Sequence, residues 1–252
     1  HDIQSSDAAL LQKARRVAET FARNLINDEI AGIVFLGAVV RGYFDASADI
    51  DLGIFTNPGS TFKLEGQFFH AEGIEIQGWL ADLESERQAA WDMSKRWTYS
   101  QGQIFYDPSG AVAQLLQAKV PLQEQERKWL MMSGLVLSEW YINRLSQLWV
   151  ARGNLVSAQH MFHQGLTYFF DMLFGLNGQL VPDEKWRYYC AEKLEILPTD
   201  FQQRFQEVLL LHALTVEELE RRRQAFMTML RELQPRIEAE VQLTFDEIEQ
   251  IV

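Results

Sequence analysis

The tightest constraint on this chain is the stretch from Ile33 to Phe55. An apolar run, Ile33-Val34-Phe35-Leu36, breaks at Gly37, crosses a small polar segment and resumes as Ile50-Asp51-Leu52-Gly53-Ile54-Phe55, with Asp49 and Asp51 near its start. Two carboxylates separated by one residue on a strand point to the same face, about 6 to 7 Å apart. Held so in a partly buried place, they call for a proton or a cation between them. Hard oxygen ligands without sulfur favour magnesium, with manganese as a substitute. Gly37 and Gly42 bracket a turn where backbone N–H groups can approach an anion, and a short helix is predicted to begin near Ala38. Taken alone, an Asp-x-Asp reads equally as a solvated strand end. A calcium loop starting at Asp45 would need glycine sixth and glutamate twelfth, where the chain has Ile50 and Thr56.

Composition narrows the partners. The 252 residues suffice for one large domain or two modest ones with a sizeable core. With 23 basic against 35 acidic residues the net charge is -12, which argues against a general electrostatic grip on nucleic acid. The single cysteine, Cys190, excludes an intramolecular disulfide and fits a reducing cytoplasm. No apolar run reaches the roughly 18 residues that span a bilayer, so no membrane association is expected, and nothing near His1 resembles a signal peptide.

Periodicity then divides the chain. Ser5, Ser6 and Asp7 are candidate caps of a helix running to about Asn27, before a strand Ile30 to Leu36. The strand Ile50 to Phe55 ends at the turn signal Thr56-Asn57-Pro58-Gly59-Ser60. Phe68-Phe69-His70 and Gly73-Ile74-Glu75-Ile76-Gln77-Gly78-Trp79 read as a hairpin in which Glu75 faces opposite to Ile74 and Ile76. That is the orientation of an acid directed to a cleft, or of an edge-strand glutamate in water. A helix is predicted over Asp82 to Thr98, a short strand from Gln103, and a helix over Ala111 to Lys119, with Asp107 as a turn-former and cap.

Pro121 marks the expected boundary between domains 1–120 and 121–252. Beyond it, helical periodicity over Glu124 to Arg152, Ser157 to Leu176, Lys185 to Leu194, Asp200 to Leu211 and Val216 to about Leu243 predicts an α-helical bundle. The fold class is therefore α+β, a mixed sheet flanked by helices followed by an all-α unit. Trp129, Trp140, Tyr141, Trp149, Phe162 and Phe169 sit at helical spacings and are expected mostly in the core. His160 and His163 lie one turn apart, which permits joint metal binding, but the local pattern offers no acidic third ligand. Arg221-Arg222-Arg223 reads as a solvated face answering Glu217, Glu218 and Glu220.

The apolar strand, Gly37-Ala38-x-x-x-Gly42 and Ala48-Asp49-Ile50-Asp51-Leu52 together resemble the active-site motif of the DNA polymerase β-like nucleotidyltransferases. In layout the chain is similar to the bacterial small-molecule members of the aminoglycoside and kanamycin type. The resemblance implies that Asp49 and Asp51 bind metal and that Glu75 is the third carboxylate. It also implies that Gly37, Ala38 and Arg41 lie along the phosphates of the nucleotide. The family usually has serine where this chain has Ala38, so either backbone N–H groups suffice there or nucleotide binding is weakened. Phe105-Tyr106-Asp107-Pro108-Ser109-Gly110 matches an apolar-Tyr-Asp-x-x-Gly element that often follows the metal motif.

In the helical half the likeness is architectural, apart from one loop, Gly175 to Trp186, which resembles a segment where Pro-x-x-Lys-Trp follows an apolar-Asn run. Lys185 there is a candidate phosphate contact or a surface lysine beside a packing tryptophan. Glu139 lies roughly where kanamycin-type enzymes carry a helical general base, and reads otherwise as a salt-bridged helix acid. The implied activity is Mg²⁺-dependent transfer of a nucleoside monophosphate, AMP from ATP in the first instance, to a hydroxyl of a small molecule such as an aminoglycoside. A protein acceptor, as in toxin systems, and a degenerate nucleotide-binding protein are the alternatives. The helical bundle is expected to close the acceptor cleft of a monomer or homodimer.

Overall fold

The computed structural model describes residues 7–42 and 44–252, so Ser5 and Ser6 lie outside the described residues. The chain divides into two compact units between Pro121 and Leu122. The first unit contains α1 (Ala8–Leu25), β1 (Ile30–Leu36), α2 (Ala38–Arg41), β2 (Ile50–Thr56), β3 (Phe68–Ala71) and β4 (Ile74–Asp82). It continues through α3 (Leu83–Gln88), α4 (Met93–Ser100), β5 (Gln103–Tyr106) and α5 (Ala111–Lys119). Asp7 caps α1, accepting from the N–H groups of Ala9 and Leu10.

The five strands form one mixed sheet in the order β3-β4-β2-β1-β5. β2 and β4 are parallel, and every other pairing is antiparallel. Each face buries its own apolar set, as period-2 alternation requires. Ile33, Phe35, Ile50, Leu52, Ile54, Ile74 and Ile76 join Ala14, Val17 and Ala18 of α1 in one core. On the opposite face Val34, Leu36 and Phe55 join Tyr99 of α4 and Val112 and Leu115 of α5.

The helix expected over Asp82 to Thr98 is instead two helices. Ala89 is extended at φ -66°, ψ 142°, while Asp82 accepts from the N–H of Ser85 and Asp92 from that of Lys95. Each aspartate thus starts a helix of its own, which a purely apolar periodicity hides. Asp107 acts as foreseen, its carboxylate accepting from the N–H groups of Val112 and Ala113 at 3.3 and 2.8 Å.

The second unit is helical. It comprises α6 (Glu124–Glu139), a π-helical turn at Trp140–Leu145, α7 (Ser146–Ala151), α8 (Leu155–Leu176), a 3₁₀ turn at Glu184–Trp186, α9 (Arg187–Ala191), α10 (Phe201–Leu209), α11 (Val216–Val241) and α12 (Phe245–Ile251). α12 was not foreseen, although Thr244 and Glu247 form a capping box at its start. Phe162 and Phe169 are core, whereas Trp129 and Trp140 are exposed. The arginine run is not one solvated face. Arg221 pairs with Glu218 and Arg223 with Glu220, but Arg222 is fully buried. It donates to the carbonyl of Val208 at 2.6 Å and lies over the Phe162 ring.

Close approach of α6 and α8 depends on Gly134, where a Cβ would stand 2.6 Å from the Met172 nitrogen and 2.7 Å from the Tyr168 carbonyl oxygen. Both obstacles are backbone and cannot swing away. Gly134→Ala is therefore expected to destabilise the protein by about 1–3 kcal/mol through overpacking, although alanine favours helix. Urea denaturation checks this, and an unchanged midpoint would show that α6 and α8 can separate at little cost.

Acid sensitivity has an identifiable source in the same unit. Arg204, followed by the N–H and hydroxyl of Thr199, holds Glu232 down at about 2. Because the folded value lies below the unfolded value of about 4.3, the contribution is present above the unfolded value and disappears as pH falls towards 2. Glu232→Gln is expected to reduce stability at neutral pH and to flatten the acid limb of a melting-temperature profile across that window. Parallel wild-type and mutant acid limbs would contradict it.

Candidate active site

Asp51 lies on β2 and Asp49 immediately precedes it. The parallel register pairs Ile50 with Ile76 and Asp51 with Gln77, which sets Asp49 level with Glu75 of β4. Alternation then brings Asp49, Asp51, Glu75 and Gln77 to one face of the sheet. Further along β2, Tyr99 covers this face: a Cβ on Gly53 would meet the Tyr99 hydroxyl at 2.4 Å. Asp49, Asp51 and Glu75 keep partial exposure, so the acids are both anchored by the sheet and open to solvent.

Gln77 ties the acids together. Its Nε2 donates to Asp49 Oδ2 at 2.8 Å and to Glu75 Oε1 at 3.3 Å. On the neighbouring edge strand His70 pairs with Glu75 across the ladder, and its Nε2 lies 3.7 Å from Glu75 Oε2. Gln77 and His70 are the members of this cluster that sequence reading passes over. The period-2 pattern gives Gln77 away, since it lies two residues beyond Glu75 on the same strand.

The turn after β1 shapes the other side of the site. Leu36 pairs with Asp51 across the ladder, so Gly37 follows directly beside that carboxylate. Gly37 has φ 65° and ψ -145°, and a Cβ there would lie 2.0 Å from Asp51 Oδ2. The aspartate thus occupies the space that any other side chain at position 37 would claim. Gly42 closes α2 in the left-handed region at φ 84°. Ala38 is 8% exposed and its methyl group belongs to the apolar core beneath the sheet, so a ligand can meet it only through its backbone. Arg41 is already engaged: its guanidinium stacks 4.0 Å above the Trp97 ring, and its Nε donates to Gln101 Oε1 at 3.1 Å.

The remaining sequence candidates belong to the second unit. Lys185 is exposed on the 3₁₀ turn. Glu139 ends α6, where its carboxylate accepts from Asn143 at 2.6 Å and pairs with Arg144 at 3.3 Å.

As placed, no three His, Cys, Asp or Glu side chains among the described residues converge on a point that would hold an ion. The donor set nevertheless fits a hard divalent cation. Asp49, Asp51 and Glu75 offer oxygen alone, Gly37 shapes a recess around the Asp51 carboxylate, and one neutral amide donor lies between Asp49 and Glu75 where positive charge would be welcome.

No protein-family model and no curated protein matches the chain. Among solved structures it is similar to the crystal structure of a nucleotidyltransferase-like protein from Exiguobacterium sibiricum, at 14% identity and a TM-score of 0.48, over 92% of this chain and 78% of that one. No helix among the described residues is long and apolar enough to cross a membrane.

Proposed function

We propose that the protein is a divalent-metal-dependent nucleotidyltransferase that moves a nucleoside monophosphate, AMP from ATP in the first instance, to an acceptor hydroxyl. The observation that carries this reading is the alignment of Asp49, Asp51 and Glu75 on one face of two parallel strands, with the Gly37 turn against Asp51. In the reaction the acceptor hydroxyl gives its proton to a base, a bond forms between its oxygen and the α-phosphorus, the bond from that phosphorus to the bridging β-phosphate oxygen breaks, and pyrophosphate leaves. Bound magnesium would supply charge neutralisation of the triphosphate and activation of the attacking hydroxyl. Asp49, Asp51 and Glu75 would hold it, with Gln77 and His70 orienting the carboxylates.

The Gly37–Ala38 backbone would approach the phosphates and Arg41, already braced on Trp97, would border them. Glu139, the candidate acceptor of the hydroxyl proton, and Lys185, a candidate further phosphate contact, belong to the same proposal. For the acceptor, the net charge of -12 favours a cationic small molecule of the aminoglycoside kind. The domain assignment of 1–120 to catalysis and of 121–252 to a helical bundle that closes the acceptor cleft belongs to the same proposal.

Ala38 supports a second reading, a protein that binds nucleotide without transferring it, because no hydroxyl is available there to hold the triphosphate. Calorimetric titration with ATP and Mg²⁺, followed by transfer of α-labelled ATP across aminoglycosides, lincosamides and candidate proteins, separates the two. Label appearing on an acceptor supports the enzyme. Binding with no transfer to any acceptor supports the second reading, and no binding at all sinks both.

A further inference from the structure

We propose that the helical unit carries a binding site of its own, a pocket between α8, α9 and α10 that takes a small planar aromatic molecule bearing one anionic group. The pocket encloses about 310 Å³, at the low end of small-ligand sites, which span about 300–1,000 Å³. It lies wholly within the second unit and does not depend on the nucleotidyltransferase reading.

The shape of the ligand follows from the walls. α8 is largely apolar, yet His160, His163, Gln164 and Thr167 recur at the spacing of one helix face and line the pocket. Aromatic rings complete the lining, Tyr188 from α9, Phe205 from α10 and Phe170 from α8 itself. Tyr188 of α9 stacks on Phe205 of α10 with centroids 5.5 Å apart and planes 22° apart, and Phe170 meets Phe205 edge-on at 5.3 Å. A lining that mixes polar side chains with aromatic rings matches a flat ring with a polar substituent on one edge.

Its charge follows from the cations. Arg187 lines the pocket, with Nε donating to the Pro182 carbonyl at 3.2 Å. Its Nη1 forms a long ion pair with Asp171 Oδ1 at 3.8 Å, beyond hydrogen-bond reach but close enough to pull the Asp171 carboxyl down against burial. Arg222 is buried behind the same helices, bonded to Val208 and Gln159, and its Nη2 has no hydrogen-bond partner among the described residues. The acids near this region are Glu184, exposed in the pocket lining, Glu192, which faces the Tyr188 hydroxyl, Glu218, which acts on Arg222 from α11, and Asp171, which burial pushes towards its neutral form against the pull of Arg187. Burial, Arg222 and His160 in turn hold His163 below the usual imidazole range. A bound anion offsets these cations and gives the imidazoles a partner.

The probe is 2-naphthoate, with neutral 2-naphthamide as its control, followed by side-chain NMR of the five histidines in the full chain. Naphthoate is expected to shift the His160 and His163 signals saturably and to move the His163 titration to higher pH. The amide is expected to bind about tenfold more weakly, a difference that Arg187→Gln removes. Thr167→Trp, which fills the pocket, is expected to abolish both responses while circular dichroism stays unchanged. Should that variant misfold, Gln164→Leu with a smaller loss of affinity replaces it. Signals of His160 and His163 that stay fixed at millimolar naphthoate, or that respond equally to naphthamide, overturn the proposal.

Discussion

Asp49→Asn is expected to lower nucleotidyl transfer by about 10³-fold or more, roughly 4 kcal/mol of transition-state stabilisation, while leaving the fold intact. The two halves of that expectation have separate origins. Asparagine has the same shape and retains an oxygen that can accept from Gln77 Nε2, the 2.8 Å bond that ties Asp49 to Glu75, so packing against β4 is preserved. What is lost is a unit of negative charge that would hold the divalent cation, whose positive charge in turn offsets that of the displaced pyrophosphate. Asp51→Asn is expected to act in the same direction. Transfer measured with α-labelled ATP beside a melting curve distinguishes chemistry from folding, and a mutant that is inactive only because it is unfolded would fail the second half of the expectation.

Gly37→Ala is expected to damage both stability and the site, whereas Gly42→Ala affects stability alone. Both glycines have positive φ, at 65° and 84°, so each substitution forces an L-residue into a costly backbone region. At Gly42, where ψ is 14°, the cost is that of a left-handed residue, about 1–2 kcal/mol, and a Cβ would meet nothing within 4 Å. At Gly37 the ψ of -145° adds a conformation close to one reserved for glycine, about 1–3 kcal/mol. The new methyl would also stand 2.0 Å from Asp51 Oδ2. That oxygen belongs to a side chain and can move, and its movement is the functional loss. Denaturation and cation titration of the two variants together check this. Equal cation affinity in both would show that the Gly37 recess does not position Asp51.

The strand–turn–strand from Ile30 to Thr56 was legible because its signals are local: β-branched and aromatic runs, glycines where φ turns positive, and acids on alternate positions. Glu75 was legible for the same reason, since a charged residue between Ile74 and Ile76 declares its face. The same period puts Gln77 on the face of Glu75, but its bond to Asp49 was not legible, because it comes from the register of β4 on β2, and β3 lies between those strands in sequence. Local readings also favoured one helix over Asp82 to Thr98, where a second capping aspartate, Asp92, competes successfully for the backbone. Arg222 shows the limit most clearly. Among three consecutive arginines with acids nearby, nothing in the sequence says which one rotates into the core to bond Val208 and cover Phe162.

The proposed transfer requires Asp49, Asp51 and Glu75 to bind a divalent cation together, and Mn²⁺ titration followed by electron paramagnetic resonance, with a non-hydrolysable ATP analogue present, tests that most directly. The wild-type protein is expected to bind Mn²⁺ saturably. Asp49→Asn and Asp51→Asn are each expected to weaken binding by more than about 100-fold, the upper end of what losing an outer-shell partner costs. Mn²⁺ bound equally by wild type and both variants would contradict the assignment of these carboxylates to a metal site.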